Sequence, residues 1–507
     1  VPDLSVGSWP ARRARINPEA IALRQGTRAL SYAELAVRVD YVAAVLSSLG
    51  VGKGDRVAYL GPNDVATFEV FFATGRLGAV FVPLNWRLAP PEVAYQVADC
   101  TPRILLHALE FESIARDLPL LAMPLGELSR LASSSTSHLI GVDVGLDDDA
   151  VILYTSGTTG RPKGAVLTHG NLTFNTMNQL AHFDALSTDT TLCVSPLFHA
   201  VGLAQATLPT LFKGGAIRVL AKFDAAAVLE TIASERIASF SCVPTMLKMM
   251  AEHPSFQTTD LTSLRYVVYG GSPVPEHAAL AWQARDVPLV QGYGMTEAAP
   301  GVMMATMSGA TAHPVSIGVP HFFTDVAVGP HAAEPVPGAQ GELLVRGPNV
   351  FRGYWQRPDD TATALDGGWY HSGDIVQVGD DGWSYVVDRV KDLFISGGEN
   401  VYPSEVEREL AALPGVVDAA VVGVPDALWG EVGVAFVVVS QDSTWTTDSV
   451  RAALSGRLAA FKIPAHVEFV VALPLTPTGK VRKQDLRVRA TGDVPEARRK
   501  HDKEETQ

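Results

Sequence analysis

Residues 151 to 172, VILYTSGTTGRPKGAVLTHGNL, carry the densest chemistry in the chain. An apolar run delivers Thr155, Ser156, Gly157, Thr158, Thr159 and Gly160 in succession. Missing or small side chains leave backbone N–H groups free there, hydroxyls add donors, and Lys163 brings a positive charge; such a loop can hold a triphosphate. It is not a Walker loop, since no GK followed by Ser or Thr occurs in it, and GYGMTE fails the GxGxxG pattern by placing Glu297 where a third glycine belongs. Glu297 is a carboxylate in a stretch otherwise poor in acids and suits Mg2+ bound to phosphates, while Thr296 beside it can donate to a phosphate oxygen. Asp374 in YHSGD is acceptor-only, which suits the two vicinal hydroxyls of a ribose, although an Asx turn is its plainer use. Arg389 in DRVKD offers a planar donor fork to ribose or phosphate, with a domain-boundary ion pair as the rival.

Loops of this kind need strands to deliver them. From Leu30, LSYAELAVRVDYVAAVLSSLGV offers Ser31 as an N-cap, then Leu35, Val39, Val42 and Leu46 at helical spacing, then Gly50 as a stop. DRVAYLG and AVFVPLN follow as short apolar runs bounded by Gly, Pro and Asn, the signature of buried strands. The alternation recurs through VILYTSG, TLCVSPL, AIRVLA, ASFSCVP, LRYVVYGG and PLVQGYG, which predicts an α/β fold with largely parallel sheets and ligands at the strands' carboxyl ends. After GELLVRGPNVFRGYW, closely spaced β-like runs predict a β-subdomain. From about Lys391 a smaller α+β unit is expected: a hairpin around LFIS, a helix with Val406, Leu410 and Leu413 on one face, strands VVDAAVVGV and GVAFVVV, a helix with Val450, Leu454 and Leu458, and strand HVEFVV. The charged end, EARRKHDKEETQ, reads as a solvated disordered tail.

Composition bounds the partners. The 507 residues carry a net charge of −14, are 47% hydrophobic and 19% charged, and so describe a folded protein without a broad nucleic-acid surface. Cys100, Cys193 and Cys242 are far apart and form no CxxC, which argues against a zinc site or a disulfide framework. The first residues lack the apolar core of a signal peptide, and the longest uncharged stretches are broken by Pro, Gly, Thr and His. The expectation is a cytoplasmic protein without an integral membrane segment, monomeric or homodimeric, with peripheral membrane contact left open.

YTSGTTGRPKG resembles the phosphate-loop signature of the adenylate-forming superfamily, which contains acyl-CoA synthetases, 4-coumarate-CoA ligase-like enzymes, luciferases and the adenylation domains of peptide synthetases. Further matches stand in the family's order: PLFH at 196–199, QGYGMTE at 291–297, GELLVRGPNVFRGYW at 341–355, YHSGD at 370–374, DRVKDLFISGGENVYPSEVE at 388–407 and PLTPTGKVRK at 474–483. The resemblance implies that ATP, with Mg2+, activates a small carboxylic acid as an acyl-adenylate, and that coenzyme A then takes the acyl group. It implies an ATP- and acid-binding domain over 1–388, a hinge at 389–391 centred on Lys391, a mobile domain over 392–490 and a tail over 491–507. Lys480 would bridge the carboxylate and the α-phosphate in the first half-reaction. Gly271, Ser272, Gln291, Gly292, Tyr293 and Gly294 would enclose the nucleotide. His199 would stand as a gate between acid and thiol, and Ser396, Gly397 and Gly398 would let pantetheine approach the backbone.

The acid pocket is expected within 199–205, 240–247, 270–275 and 295–304, with Ala200, Val201, Val243, Gly270, Met295 and Gly301 on its wall. These residues are apolar or small and offer no phenol-binding hydroxyl at Val201. A fatty acid is therefore the first expectation and an aromatic acid the alternative, with an adenylate-forming enzyme that uses another acceptor also open.

Overall fold

The computed structural model describes residues 3–134, 142–155, 161–271, 276–310, 313, 316–329, 335–389, 394–401, 403–440, 442–474, 481 and 483–492. It divides into two compact units: Val1–Trp86 with Ala94–Thr155 and Lys163–Val390, and a smaller one holding Arg87–Val93, Ser156–Pro162 and Lys391–Gln507.

The large unit is α/β, as the strand–helix alternation predicts. Ser31 caps helix Tyr32–Ser48 with a full capping box: its hydroxyl accepts from Glu34 N at 3.2 Å, and its own N–H donates to the Glu34 carboxylate at 2.8 Å. Leu35, Val39, Val42 and Leu46 are all buried on one face of that helix. A seven-stranded sheet runs in the order Gly353–Tyr354, Lys163–Thr168, Asp149–Thr155, Val80–Leu84, Arg56–Leu60, Ile104–His107 and Ala122–Pro124. The expected phosphate-loop strand thus turns back on itself, because Lys163–Thr168 pairs antiparallel with Asp149–Thr155 in register Thr155↔Lys163.

A nine-stranded sheet holds Val319–Pro320, Gly301–Met304, Leu289–Gly294, Tyr266–Gly270, Ser239–Cys242, Thr190–Cys193, Ala216–Val219, Ile21–Gln25 and Arg28–Ser31. Its centre is parallel, and its two ends are closed by antiparallel pairs. Strand Ile21–Gln25 joins it through Leu23↔Ile217, so the two ends of this contact lie far apart along the chain. The expected β-subdomain is an antiparallel sheet of Asp325–Val328, Gln340–Arg346, Tyr370–Val378 and Ser384–Arg389.

In the small unit, Phe394–Ser396 and Glu399–Val401 form the expected hairpin beside Gly430–Val439 and Val416–Asp426, and His466–Phe469 adds a parallel strand. Leu413 and Leu458 are buried as expected but lie past the ends of helices Pro403–Ala411 and Thr447–Leu454. A helix over Lys483–Thr491 was not anticipated; it reaches the point where the disordered tail was expected to begin. Its charged composition, with a weak apolar stripe, hides it from a periodicity reading.

Cys100, Cys193 and Cys242 are free and buried. Burial pushes the thiols of Cys100 and Cys193 up to about 12, so they stay protonated and inert at neutral pH. Among the described residues no helix is long and apolar enough to cross a membrane.

One buried charge anchors the first helices. Glu69 is almost wholly buried and accepts from Arg28 at 2.6 Å and from Arg38 Nε at 2.6 Å. Glu69→Ala is expected to destabilise the protein by about 3 kcal/mol, the low end of the cost of breaking a buried pair, because both arginines keep some access to water. Denaturant unfolding checks this, and a change below about 1 kcal/mol would show the pair to be dispensable.

Candidate active site

The nucleotide motifs gather at neighbouring strand ends. Tyr266–Gly270 and Leu289–Gly294 run parallel in register Gly270↔Gly292, so their glycine-rich exits lie side by side. A β-carbon on Gly270 would stand 2.5 Å from the Gly292 carbonyl oxygen, and Gly271 follows with φ +94°. Both positions need glycine. The second glycine of GYG is constrained more tightly still, since a β-carbon on Gly294 would collide with the Pro300 carbonyl oxygen, which also accepts from Met295 N at 3.0 Å. The chain therefore folds back immediately after GYG and sets Thr296–Ala298 as a single 3-10 turn.

Glu297 on that turn is buried, and its carboxylate accepts from the Tyr354 hydroxyl at 2.8 Å while its backbone carbonyl accepts from Phe351 N at 2.7 Å. Asn349 Nδ2 closes the same loop by donating to the carbonyls of Ala298 at 3.1 Å and Gly301 at 2.7 Å. Tyr354 and Asn349 thus fix a residue that the sequence singles out, although neither was assigned a role. Both stand in GPNVFRGYW, a motif visible in the sequence, and a tyrosine in such a segment is the available signal.

Asp374 and Tyr293 meet: the Tyr293 hydroxyl donates to Asp374 Oδ2 at 2.7 Å. Asp374 follows Gly373, whose φ is +73°, and its N–H donates to Ser372 Oγ at 3.1 Å. Glu342 holds the turn from outside, accepting from Gly373 N at 3.0 Å and from His371 Nδ1 at 3.1 Å. Arg389 is the cross-strand neighbour of Asp374, in register Asp374↔Arg389. Gln291, expected at the nucleotide, is buried and accepts from the Tyr269 hydroxyl at 3.1 Å.

Lys163, expected to bring charge to the triphosphate, is set among protein groups. Its ammonium pairs with Asp360 at 2.6 Å and lies 5.3 Å from the centre of the Tyr354 ring. Only 10% of its side chain is exposed, so the charge requires a counter-ion close by, and Asp360 on helix Pro358–Ala364 supplies it. Thr155 lies opposite Lys163, and its hydroxyl donates to the Lys163 carbonyl at 3.4 Å. The rest of the loop, Ser156, Gly157, Thr158, Thr159 and Gly160, lies outside the described residues, as do Ser272, Lys391 and Lys480.

His199 is half-buried, with its ring tilted against Phe198 at 4.6 Å between centroids. Ala200 is buried and Val201 half-buried at the start of a π-helical segment, Val201–Gln205. Val243, half-buried, precedes helix Pro244–Ala251, and the strand before it reaches the same segment through Ser241 Oγ, which donates to the Val201 carbonyl at 3.4 Å. Met295 is half-buried on the GYG exit.

Gly301, expected on the wall of the acid pocket, has polar neighbours: the point where its β-carbon would stand is 2.5 Å from Gln179 Nε2, 2.7 Å from His321 Nε2 and 2.9 Å from Asn175 Oδ1. The two amides come from helix His169–His182, where Asn171, Asn175, Asn178 and Gln179 are all buried, and His321 follows strand Val319–Pro320. Their helical spacing puts a polar stripe on an inward face, a pattern readable in HGNLTFNTMNQLAH.

In the small unit, Ser396 is buried, and Gly397 and Gly398 turn the hairpin with φ of +59° and +81°. Gly397 donates its N–H to the Trp429 carbonyl at 2.8 Å, and a β-carbon there would press on the Trp429 ring at 2.7 Å.

Residues 10–355 match the family model of the AMP-binding enzyme, and residues 405–480 match that of the AMP-binding enzyme C-terminal domain. A feruloyl-CoA synthase of Amycolatopsis sp is 49% identical over 488 residues, covering 96% of this chain and 99% of that protein. A long-chain-fatty-acid–CoA ligase of Mycobacterium tuberculosis is 34% identical over 502 residues, covering 97% of this chain and 99% of that one. The solved structure of an o-succinylbenzoate CoA synthetase double mutant from Bacillus subtilis, bound to a product analogue, superposes with a TM-score of 0.87 at 29% identity, covering 95% of this chain and 98% of that chain. With both family models matched in order and relatives similar along nearly the whole length, the chain belongs to the AMP-binding enzyme family of adenylate-forming ligases.

Proposed function

We propose that the protein joins an aromatic carboxylic acid to coenzyme A in two half-reactions. In the first, a carboxylate oxygen of the acid attacks the α-phosphorus of ATP and pyrophosphate leaves, giving an acyl-adenylate. In the second, the thiolate of coenzyme A attacks the acyl carbon and AMP leaves. The observation that carries the chemistry is the pairing of Tyr293 with Asp374 beside the glycine exits, next to the separately braced Glu297. Asp374 offers acceptor oxygens to the ribose hydroxyls, and Tyr293 holds that carboxylate while presenting its ring to the base.

Glu297 fits a magnesium site of the open kind. It is a single buried carboxylate, one of whose oxygens is fixed by Tyr354, and Mg2+ is commonly held by one or two carboxylates together with substrate phosphates. When bound there, the ion supplies neutralisation of phosphate charge. The phosphate loop over 155–163 cradles the triphosphate through its N–H groups, and Lys480 contributes its ammonium to the charge that builds on the α-phosphate. Gly397 and Gly398 leave room for a slender thiol arm, and rotation about Lys391 exchanges the two half-reactions.

The aromatic reading replaces the fatty acid as first choice. The feruloyl-CoA synthase shares 49% of its residues with this chain against 34% for the fatty-acid ligase, and polar groups stand at Gly301 where an alkyl chain would favour apolar ones. Incubating the protein with ATP and a panel of hydroxycinnamic, benzoic and saturated fatty acids, with and without coenzyme A, tests this by mass spectrometry of adenylate and thioester. Hydroxycinnamates are expected to give the highest thioester yield. A fatty acid ahead of every aromatic acid would overturn the substrate class, and adenylate without thioester would overturn the acceptor.

A further inference from the structure

Behind the glycine exits lies a buried row of polar side chains that the nucleotide chemistry does not use. Gln205 closes the π-helical segment that begins at Val201, and its Nε2 donates to Gln179 Oε1 at 3.2 Å. That same nitrogen stands 3.2 Å from where a β-carbon on Gly292 would sit. Gln179 Nε2 in turn donates to Asn175 Oδ1 at 3.4 Å, and that oxygen also accepts from Gly301 N at 3.0 Å. Gly292 and Gly301 lie on adjacent antiparallel strands, and a side chain on either would press into this row.

His321 ends the row. It is fully enclosed, and neither Nδ1 nor Nε2 makes a well-formed hydrogen bond among the described residues, the Asn178 backbone being the polar group that acts on the ring. Its ring packs edge-on against His182, with centroids 4.4 Å apart. Burial holds His321 well below the ordinary histidine range, so the ring is neutral at physiological pH and presents one N–H donor and one bare acceptor nitrogen. A buried ring so poorly satisfied is costly, and native proteins answer such a cost with a ligand, an ordered water or a partner group. The row starts one helical turn beyond Val201 and ends at Gly301, two residues expected on the acid pocket's wall.

We infer that Gln205, Gln179 and His321 form the distal end of the acid site, and that they recognise a hydrogen-bonding substituent, a phenolic hydroxyl, on the far side of an aromatic acid's ring. This rests on the aryl-acid reading above. A phenol both donates and accepts, and the neutral imidazole with the adjacent amides offers both complements in a site closed to bulk water. An acid lacking the hydroxyl leaves the imidazole poorly satisfied while the amides keep one another, which is how a buried polar site rejects an isostere.

The test compares 4-hydroxycinnamate with cinnamate as substrates of the full-length enzyme, taking the ratio of their kcat/KM values from pyrophosphate release and their dissociation constants by calorimetry. Wild type is expected to favour 4-hydroxycinnamate by about tenfold or more in both measures, and Gln205→Met, which keeps the side chain's length, is expected to erase most of that preference. Gln179→Leu serves as the second variant if thermal melting shows that Gln205→Met is misfolded. Equal losses on both acids, or an unchanged ratio in a folded variant, would show a packed polar core holding buried water only and would overturn the inference while leaving the aryl-acid reading intact. If wild type activates neither acid but does activate fatty acids, the aryl-acid reading falls first and the inference falls with it.

Discussion

Lys480→Ala is expected to reduce acyl-adenylate formation by about a thousandfold, on the order of 4 kcal/mol of lost charge stabilisation at the α-phosphate. The same variant, given chemically prepared acyl-adenylate and coenzyme A, is expected to keep most of its thioester-forming rate. The asymmetry follows from the chemistry of the two halves. The first builds negative charge on phosphoryl oxygens and gains most from an ammonium; the second expels AMP from a mixed anhydride that is already activated. Lys391→Pro, which freezes the backbone torsion at the joint, is expected to reverse the pattern by impairing the second half-reaction more than the first. Single-turnover measurements of each half separate these cases. If Lys480→Ala abolished both halves equally, Lys480 would belong to one fixed site and the alternation of domains would be wrong.

The second large effect is expected at Glu297. Glu297→Gln preserves an acceptor for the Tyr354 hydroxyl and leaves untouched the carbonyl that accepts from Phe351 N, so the loop keeps its supports. What it removes is the negative charge proposed above to hold Mg2+ beside the phosphates. Turnover is expected to fall by about a hundredfold or more while the dissociation constant for ATP changes by less than about tenfold, because charge organised around the departing pyrophosphate matters most in the transition state. Calorimetric titration beside turnover measurements gives both numbers. Parallel losses would assign Glu297 to holding the loop in place.

Much of the fold is legible in the sequence alone. The parallel strands announced themselves through apolar runs ending in Gly or Pro, and the helix after Ser31 through its cap and its spacing, because those signals are local. Tyr293, Asp374 and Glu297 stand out for a related reason: each sits in a short string whose composition is unusual by itself. Their supports were harder to find. Glu342 acts on Asp374 from another strand, Tyr354 reaches Glu297 across 57 positions, and Asp360 takes the charge of Lys163 across 197, so these partnerships exist only once the sheets have formed. The surroundings of Gly301 were hidden for the opposite reason. Small residues near Gly301 read as an apolar wall, whereas the missing side chain makes room for amides and an imidazole from helix His169–His182 and the residues after strand Val319–Pro320.

The pairing of strand Ile21–Gln25 with Ala216–Val219 sets a clock on the making of this protein. Leu23 leaves the ribosome roughly two hundred residues before its partner Ile217. At about 5–20 residues per second the first hairpin waits some 10–40 seconds with one edge open. Leu23 and Arg24, whose strand pairs with Ile217 and Arg218 in the finished fold, lack that partner strand during the interval. A strand edge left open is a template for pairing with another chain, so the segment Ile21–Gln25 is a stretch that gains from a chaperone's cover. Any N-terminal fragment ending before residue 216 makes that interval permanent.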